Sequence, residues 1–270
     1  MTLKVDVLSE LRIGRAWPLT NDSPLSPAIS SRKSSMSNGK HYVIPPAPQA
    51  ALAVAGSSEL FPVRRIWCVG RNYLEHIKEM GQDEREPPFF FAKPADALVP
   101  DGGTAPYPSL TKDMHHEVEL VVALKSGGRN IPTEKALDCV WGYGVGIDLT
   151  RRDLQIASRD IKRPWEIGKA FDASAPCGPL KPVSQTGHPS KGRIALKCNG
   201  KVRQEGDLEQ LIWNVPEIIS KLSEMVALEA GDIIMTGTPS GVAATVAGDK
   251  LECEVEGLPK LTVKIGQPLK

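Results

Sequence analysis

The sequence predicts an α+β fold dominated by strands, and three observations carry that prediction. Short runs that alternate or are rich in β-branched residues recur at 64–69, 117–124, 141–147, 193–198, 232–236, 250–256 and 260–265. Clear helical spacing is confined to a few segments, such as Val215, Ile218, Ile219, Leu222 and Val226. The strands often follow one another directly, which excludes a regular βαβ repeat and favours a mixed, strand-rich architecture.

The elements follow in order. Residues 1–40 are rich in Ser (Ser23, Ser26, Ser30, Ser31, Ser34, Ser35, Ser37) without apolar periodicity, and are expected to be a disordered extension. Asp6, Glu10 and Asp22 weaken a mitochondrial-presequence reading, and Met36 is a plausible native start. Residues 41–62 are proline-rich and read as an extended lead-in or short edge strand. The core is expected to begin at Val63, with a strand at 64–69 that Gly70 ends. Asn72 is placed to cap a helix through Glu79. Proline-rich loops are expected around Phe89-Phe90-Phe91. In 117–124, Val118, Leu120, Val122 and Leu124 share one face while Glu117 and Glu119 share the other. A helix near 133–138, a Gly-broken strand at 141–147 and a helix over 150–157 come next. Asn199-Gly200 after Arg193–Cys198 is a hairpin signal. Pro216 suits the first turn of the helix that Val215 opens.

Composition excludes several function classes. The chain has 270 residues, 41% hydrophobic and 24% charged, so a substantial core is expected. Lys+Arg 33 against Asp+Glu 32 gives a formal net charge of +1, with no global pull toward nucleic acid. No apolar run reaches the roughly 18 residues of a membrane span. Five widely spaced cysteines (68, 139, 177, 198 and 253) without a CxxC pattern argue against a disulfide scaffold or an ordinary zinc site, and favour a reducing compartment.

Candidate chemistry starts with Glu117 and Glu119. On a strand, residues i and i+2 project to the same side, and two adjacent carboxylates repel unless a proton or cation lies between them. Hard oxygen ligands suit Mg²⁺ or Mn²⁺, although the same spacing also fits a solvated sheet face. Asp148, at a strand end, is a candidate third ligand or a helix N-cap. His76 and Glu79 stand at i and i+3 of one helix: a proton-accepting dyad or a surface pair. His115 and His116 flank the acidic pair and could tune it. Lys169, among Trp165, Phe171 and Pro176, suits a buried anion or a snorkelling surface position. Gly237-Thr238-Pro239-Ser240-Gly241 after a strand could cradle a carboxylate or phosphate, or form a tight turn. Gly142-Tyr143-Gly144-Val145-Gly146 does not match a dinucleotide fingerprint.

Taken in order, these segments resemble the fumarylacetoacetate hydrolase family from about Val63 to the C-terminus. They are Gly70-Arg71-Asn72-Tyr73 with His76 and Glu79, His116-Glu117-Val118-Glu119-Leu120, Asp148-Leu149-Thr150 with Arg152 and Gln155, Lys169-Ala170-Phe171, Arg203-Gln204, and Gly237 to Val242. The stretches PVRRIWCVGRNY, EPPFFFAKPADALVP, HHEVELVVAL and RPWEIGKAFDASAP look closest to fumarylpyruvate hydrolases. Ala170 and Ala243 stand where Gly is common in relatives. The resemblance implies a rolled sheet, a catalytic domain over 63–270, a cytoplasmic homodimer and one divalent cation, Mg²⁺ or Mn²⁺. It makes Glu117, Glu119 and Asp148 the metal ligands and His76, Glu79 and Lys169 the catalytic residues. Arg71, Tyr73, Gln155 and Thr238 become substrate-binding. The implied reaction is hydrolysis of a C–C bond in a 2,4-dioxo acid, fumarylpyruvate giving fumarate and pyruvate, with neither nucleic acid nor membrane as partner. Oxaloacetate decarboxylation at the same site is the alternative, followed by a non-catalytic metal-binding homologue.

Overall fold

Residues 42–73 and 86–268 are described by the computed structural model. The chain divides into two units, Met1–Ala47 and Pro48–Lys270, and every element below lies in the second. The strands in chain order are Ala51–Ala53 (β1), Leu60–Pro62 (β2), Arg65–Gly70 (β3), Phe89–Lys93 (β4), Leu98–Pro100 (β5) and Thr104–Pro106 (β6). Met114–His116 (β7), Val118–Leu124 (β8), Val140–Ile147 (β9), Thr150–Arg151 (β10), Ala175–Cys177 (β11) and Lys181–Pro182 (β12) follow. The last are Arg193–Cys198 (β13), Lys201–Asp207 (β14), Asp232–Met235 (β15), Ala243–Thr245 (β16), Lys250–Val255 (β17) and Leu261–Gly266 (β18). The α-helices are Thr133–Ala136 (α1), Arg152–Asp160 (α2), Glu166–Lys169 (α3), Val183–Thr186 (α4) and Val215–Met225 (α5).

The largest sheet runs β4-β3-β15-β8-β9-β11-β5, with β12 also on β9, and a second runs β14-β13-β17-β18-β6. The sheets are mixed and include a curled half-barrel, the rolled sheet of the expectation. β8 lies between β15 and β9, and each of its residues is buried. Its two faces serve different cores. Val118, Leu120, Val122 and Leu124 join Leu196, Leu251 and Val263 of the second sheet and Ile218 and Leu222 of α5. Val121 and Ala123 join Leu52, Phe61, Cys68, Cys177 and Met235. Full burial of each such aliphatic side chain contributes roughly 1.5–3 kcal/mol. The residues read as a lead-in thus contribute a β1–β2 ribbon whose Leu52 and Phe61 close the second core.

Several local expectations have visible causes. The Asn199-Gly200 turn takes φ 51° and 78°, the left-handed values that a tight hairpin requires. Asn214 and Glu217 form a capping box at the start of α5, where Pro216 sits in the first turn. The glycines of β9 serve close packing: a Cβ at Gly146 would lie 2.7 Å from Val121 Cγ2. The helix expected through Glu79 lies outside the described residues. Asn72 itself is buried, its amide donating to Trp213 O and Thr236 O and accepting from Trp213 N. Phe89–Lys93, which the sequence sets among proline-rich loops with no element of its own, is an edge strand on β3. The helix expected to start at Thr150 starts at Arg152, because Thr150 and Arg151 pair with β7.

Candidate active site

Glu117 sits in the one-residue break between β7 and β8, Glu119 on β8 itself, and Asp148 immediately after β9. The β8–β9 register sets Val118 opposite Ile147, and Asp148 N donates to Glu117 O at 2.8 Å. The antiparallel ladder therefore delivers the third acid beside the first two. One carboxylate oxygen from each of Glu117, Glu119 and Asp148 lies within 4.8 Å of the others. All three are buried, so the solvated-face reading of the acidic pair does not apply. Nor does Asp148 cap the following helix, whose N-cap is Arg151.

Cations balance these acids. Lys169, from the last turn of α3, is buried, with Nζ 2.8 Å from Glu117 Oε2, 2.6 Å from Asp148 Oδ2 and 2.7 Å from Thr150 Oγ1. It also lies 5.1 Å from the Phe91 ring centroid. Arg152 donates to Glu117 Oε1 and, at 2.5 Å, to Gln155 Oε1. Lys93, at the end of β4, is fully buried with Nζ 2.8 Å from Asp148 Oδ1, and it also donates to the Leu149 and Lys169 carbonyls. The Lys93–Asp148 contact is an ion pair by distance but lacks hydrogen-bond geometry, so Asp148 Oδ1 is a buried oxygen without a hydrogen-bond donor among the described residues. Such an orphaned oxygen beside two further carboxylates fits a hard divalent cation.

The electrostatics are uneven across the triad. Burial pushes the Glu117 carboxyl up, but the charges and hydrogen bonds of Lys169 and Arg152 outweigh it and hold the group below the ordinary range. Glu119 goes the other way. Burial, then the charges of Asp148 and Glu117, push it well above the ordinary range, against a partial pull from the Gly237 N–H and Lys169. Burial lowers the Lys169 ammonium, but Asp148 and Glu117 raise it further, so Lys169 is held protonated.

The Gly237–Gly241 loop cradles a carboxylate of the protein itself: Gly237 N donates to Glu119 Oε2 at 2.7 Å. Gln204 links this loop to the acid-bearing strand. Its amide donates to Thr238 Oγ1 and Pro239 O, while its carbonyl oxygen accepts from Val118 N and pairs with His116 Nδ1. His116 is thus a buried neighbour of the site, whereas His115 pairs with Asp113 nearer the surface.

A cleft opens over the triad. It is lined by Glu117, Glu119, Asp148 and Lys169, by Arg71, Gln155 and Thr238, and by Phe89, Phe91 and Trp165. Arg71 enters with φ 56° and its guanidinium 6.0 Å from the Phe89 ring centroid. Of the expected substrate contacts, Arg71, Gln155 and Thr238 line the cleft, while Tyr73 is buried within the larger core. His76 and Glu79 lie outside the described residues. Sequence reasoning left Lys93, Thr150 and Arg152 out of the site. A strand reading of 89–93 would have placed Phe89, Phe91 and Lys93 on one face, which is the face turned to the cleft and Asp148.

Comparison with known proteins gives a consistent family. Residues 65–266 match the model of the fumarylacetoacetate (FAA) hydrolase C-terminal family. A crystal structure of fumarylpyruvate hydrolase from Pseudomonas aeruginosa in complex with Mn²⁺ and pyruvate is 51% identical, with a TM-score of 0.81, covering 84% of this chain and all of that one. A fumarylpyruvate hydrolase from Ralstonia sp is 42% identical over 181 residues, 67% of this chain and 94% of its own length. The human mitochondrial oxaloacetate tautomerase FAHD1 is 38% identical over 214 residues, 77% of this chain and 97% of its own length. With the matched family model spanning the cleft and the sheets that frame it, the chain belongs to the fumarylacetoacetate hydrolase C-terminal family.

Proposed function

We propose that this chain is a Mg²⁺- or Mn²⁺-dependent hydrolase that cleaves a C–C bond of an acylpyruvate, with fumarylpyruvate as the substrate that yields fumarate and pyruvate. The observation that carries the reading is the convergence of Glu117, Glu119 and Asp148 beneath a cleft that also holds a buried Lys169 ion-paired to Glu117 and Asp148. The half-identical relative with Mn²⁺ and pyruvate supports it.

Glu117, Glu119 and Asp148 would hold the cation, which when bound supplies Lewis-acid polarisation of a 2-oxo acid. The remaining steps belong to the chain. Thr238 Oγ1 already accepts from Gln204, so its hydroxyl turns a donor toward a ligand. Gln155 Oε1 is occupied by Arg152, so its NH₂ is the end left to a substrate carboxylate. His76, oriented by Glu79, takes a proton from water as the oxygen adds to C4. Lys169 Nζ, whose three N–H bonds go to Glu117, Asp148 and Thr150, stabilises the oxyanion that forms there through its positive charge. The C3–C4 bond then breaks, its electrons pass into pyruvate enolate, and the proton returns to C3. Held protonated by Asp148 and Glu117, Lys169 acts as a fixed cation and not as the base.

A second reading has specific support in the oxaloacetate tautomerase relative, because oxaloacetate presents the same 2-oxo acid end. Incubation with fumarylpyruvate, acetylpyruvate and oxaloacetate, with and without chelator, tests both. Metal-dependent release of pyruvate and fumarate supports the hydrolase. Catalysed change in the keto–enol ratio of oxaloacetate without cleavage of either acylpyruvate would overturn it, and carbon dioxide release would mark a decarboxylase. If His76 is the base, His76→Ala should lower kcat by about two to four orders of magnitude while oxalate still binds. We further infer a cytoplasmic homodimer, which light scattering and fractionation test.

A further inference from the structure

The cleft does not stop at the carboxylates. It continues along α2, where Arg152, Gln155, Ile156 and Arg159 all line it. These positions fall at i, i+3, i+4 and i+7, one face of a helix. The two arginines differ in their commitments. Arg152 is spent on Glu117 and Gln155 at the inner end. Arg159 lies seven residues on, about 10 Å further along the helix axis. It is 54% exposed, and its partner is the adjacent and equally exposed Asp160. Asp160 Oδ1 engages the Nε and Nη2 edge of the guanidinium, which leaves the Nη1 edge outside that pair. On the helix face between the two arginines stand polar Gln155 and apolar Ile156, and Phe89 and Trp165, ring centroids 5.4 Å apart, add to the apolar band of the same lining.

We propose that Arg159 determines acyl-group specificity by binding a carboxylate at the far end of the substrate. The assignment rests on the acylpyruvate reading above. A substrate anchored by its 2-oxo acid over the triad runs its acyl chain past the apolar band. A terminal carboxylate then meets a guanidinium whose competing pair is solvent-exposed and weak. A planar guanidinium suits a carboxylate in a bidentate pair, which a neutral acyl terminus cannot form. The chain therefore favours acylpyruvates that end in an acid over those that end in a methyl group.

The test uses the full-length Mn²⁺-loaded protein, its Arg159→Met and Arg159→Lys variants, and two substrates: fumarylpyruvate, with the distal carboxylate, and acetylpyruvate, without it. Arg159→Met should lower kcat/KM for fumarylpyruvate by about 10–100-fold, the range of a hydrogen bond to a charged group. The loss should fall mainly on KM. Acetylpyruvate should change by less than about threefold, since it makes no such bond. Arg159→Lys should recover part of the loss, and added salt should raise KM for fumarylpyruvate in the wild type more than in Arg159→Met. Equal losses on both substrates, or none on either, overturn the assignment while leaving the hydrolase reading intact. Wild-type protein that cleaves neither compound overturns both.

Discussion

Lys169 Nζ lies 2.6 Å from Asp148 Oδ2 with both side chains buried, so a cation is built into the acidic cluster. Among the described residues, removing it leaves Lys93 and Arg152 as the cations paired with these acids. Lys169→Met should therefore cost about 3–5 kcal/mol of stability in metal-free protein, as loss of one partner from a buried ion pair does. Divalent metal should restore part of that loss, because it supplies positive charge at the same carboxylates. The kcat should fall by about 100–1,000-fold even in metal-loaded protein, the magnitude for loss of one group that stabilises a developing oxyanion. Calorimetric melting with and without Mn²⁺, alongside turnover, checks both. A stable variant with normal kcat would remove Lys169 from the mechanism.

Metal removal is the second prediction. The triad offers one ligand atom from each of three acids, so chelated protein should lose turnover and regain it with Mg²⁺ or Mn²⁺. Asp148→Asn keeps the shape but removes one negative charge, and should weaken Mn²⁺ binding by at least about tenfold. Paramagnetic titration with Mn²⁺ measures this directly. Unchanged affinity in Asp148→Asn would exclude it as a ligand.

The sequence carried the triad further than it carried its surroundings. Period-two alternation placed Glu119 opposite Val118 and Leu120, and the core partition of β8 follows that split. Asp148 was legible as a strand-end acid, because β9 ends where its apolar run ends. Lys93 and Thr150 were not legible as site residues, since their contacts depend on tertiary pairing: β4 on β3, and β10 on β7. The prolines flanking 89–93 masked an edge strand that tolerates them. Leu52 and Phe61 were hidden for a similar reason. A three-residue ribbon has too few positions to show a period, and only the fold reveals the face it covers.

Gly237 offers a third test. Its φ is 101°, and a Cβ there would sit 2.8 Å from Asn72 Cβ. Gly237→Ala should therefore destabilise the protein by about 1–3 kcal/mol through backbone strain. It should also displace the N–H that holds Glu119 Oε2, and so weaken Mn²⁺ affinity beyond what the stability loss explains. Chemical denaturation and metal titration on the same variant separate the two effects. Intact affinity in a destabilised protein would confine Gly237 to a structural role.

Glu119 gives the fourth prediction, a proton count. Burial, together with the charges of Asp148 and Glu117, raises its carboxyl well above the ordinary carboxylate range, so metal-free protein holds a proton there to higher pH than a free carboxyl would. A cation binds the ionised form, so loading the site must expel that proton. The sign follows for both equilibria. Metal affinity should rise with pH until Glu119 ionises without help. The stability that the protonated Glu119 contributes to chelated protein is fully present below the unfolded pKa of about 4.5 and is lost as pH rises through the raised folded value. Loaded protein should not show that loss from this group, because the bound cation replaces the proton. Titration calorimetry with Mn²⁺ in buffers of different ionisation enthalpy should show protons released on binding, more of them as the pH of the titration is lowered toward the ordinary carboxylate range. Glu119→Gln should abolish the release and weaken binding together. A binding enthalpy independent of buffer would mean that Glu119 is already ionised in the metal-free protein.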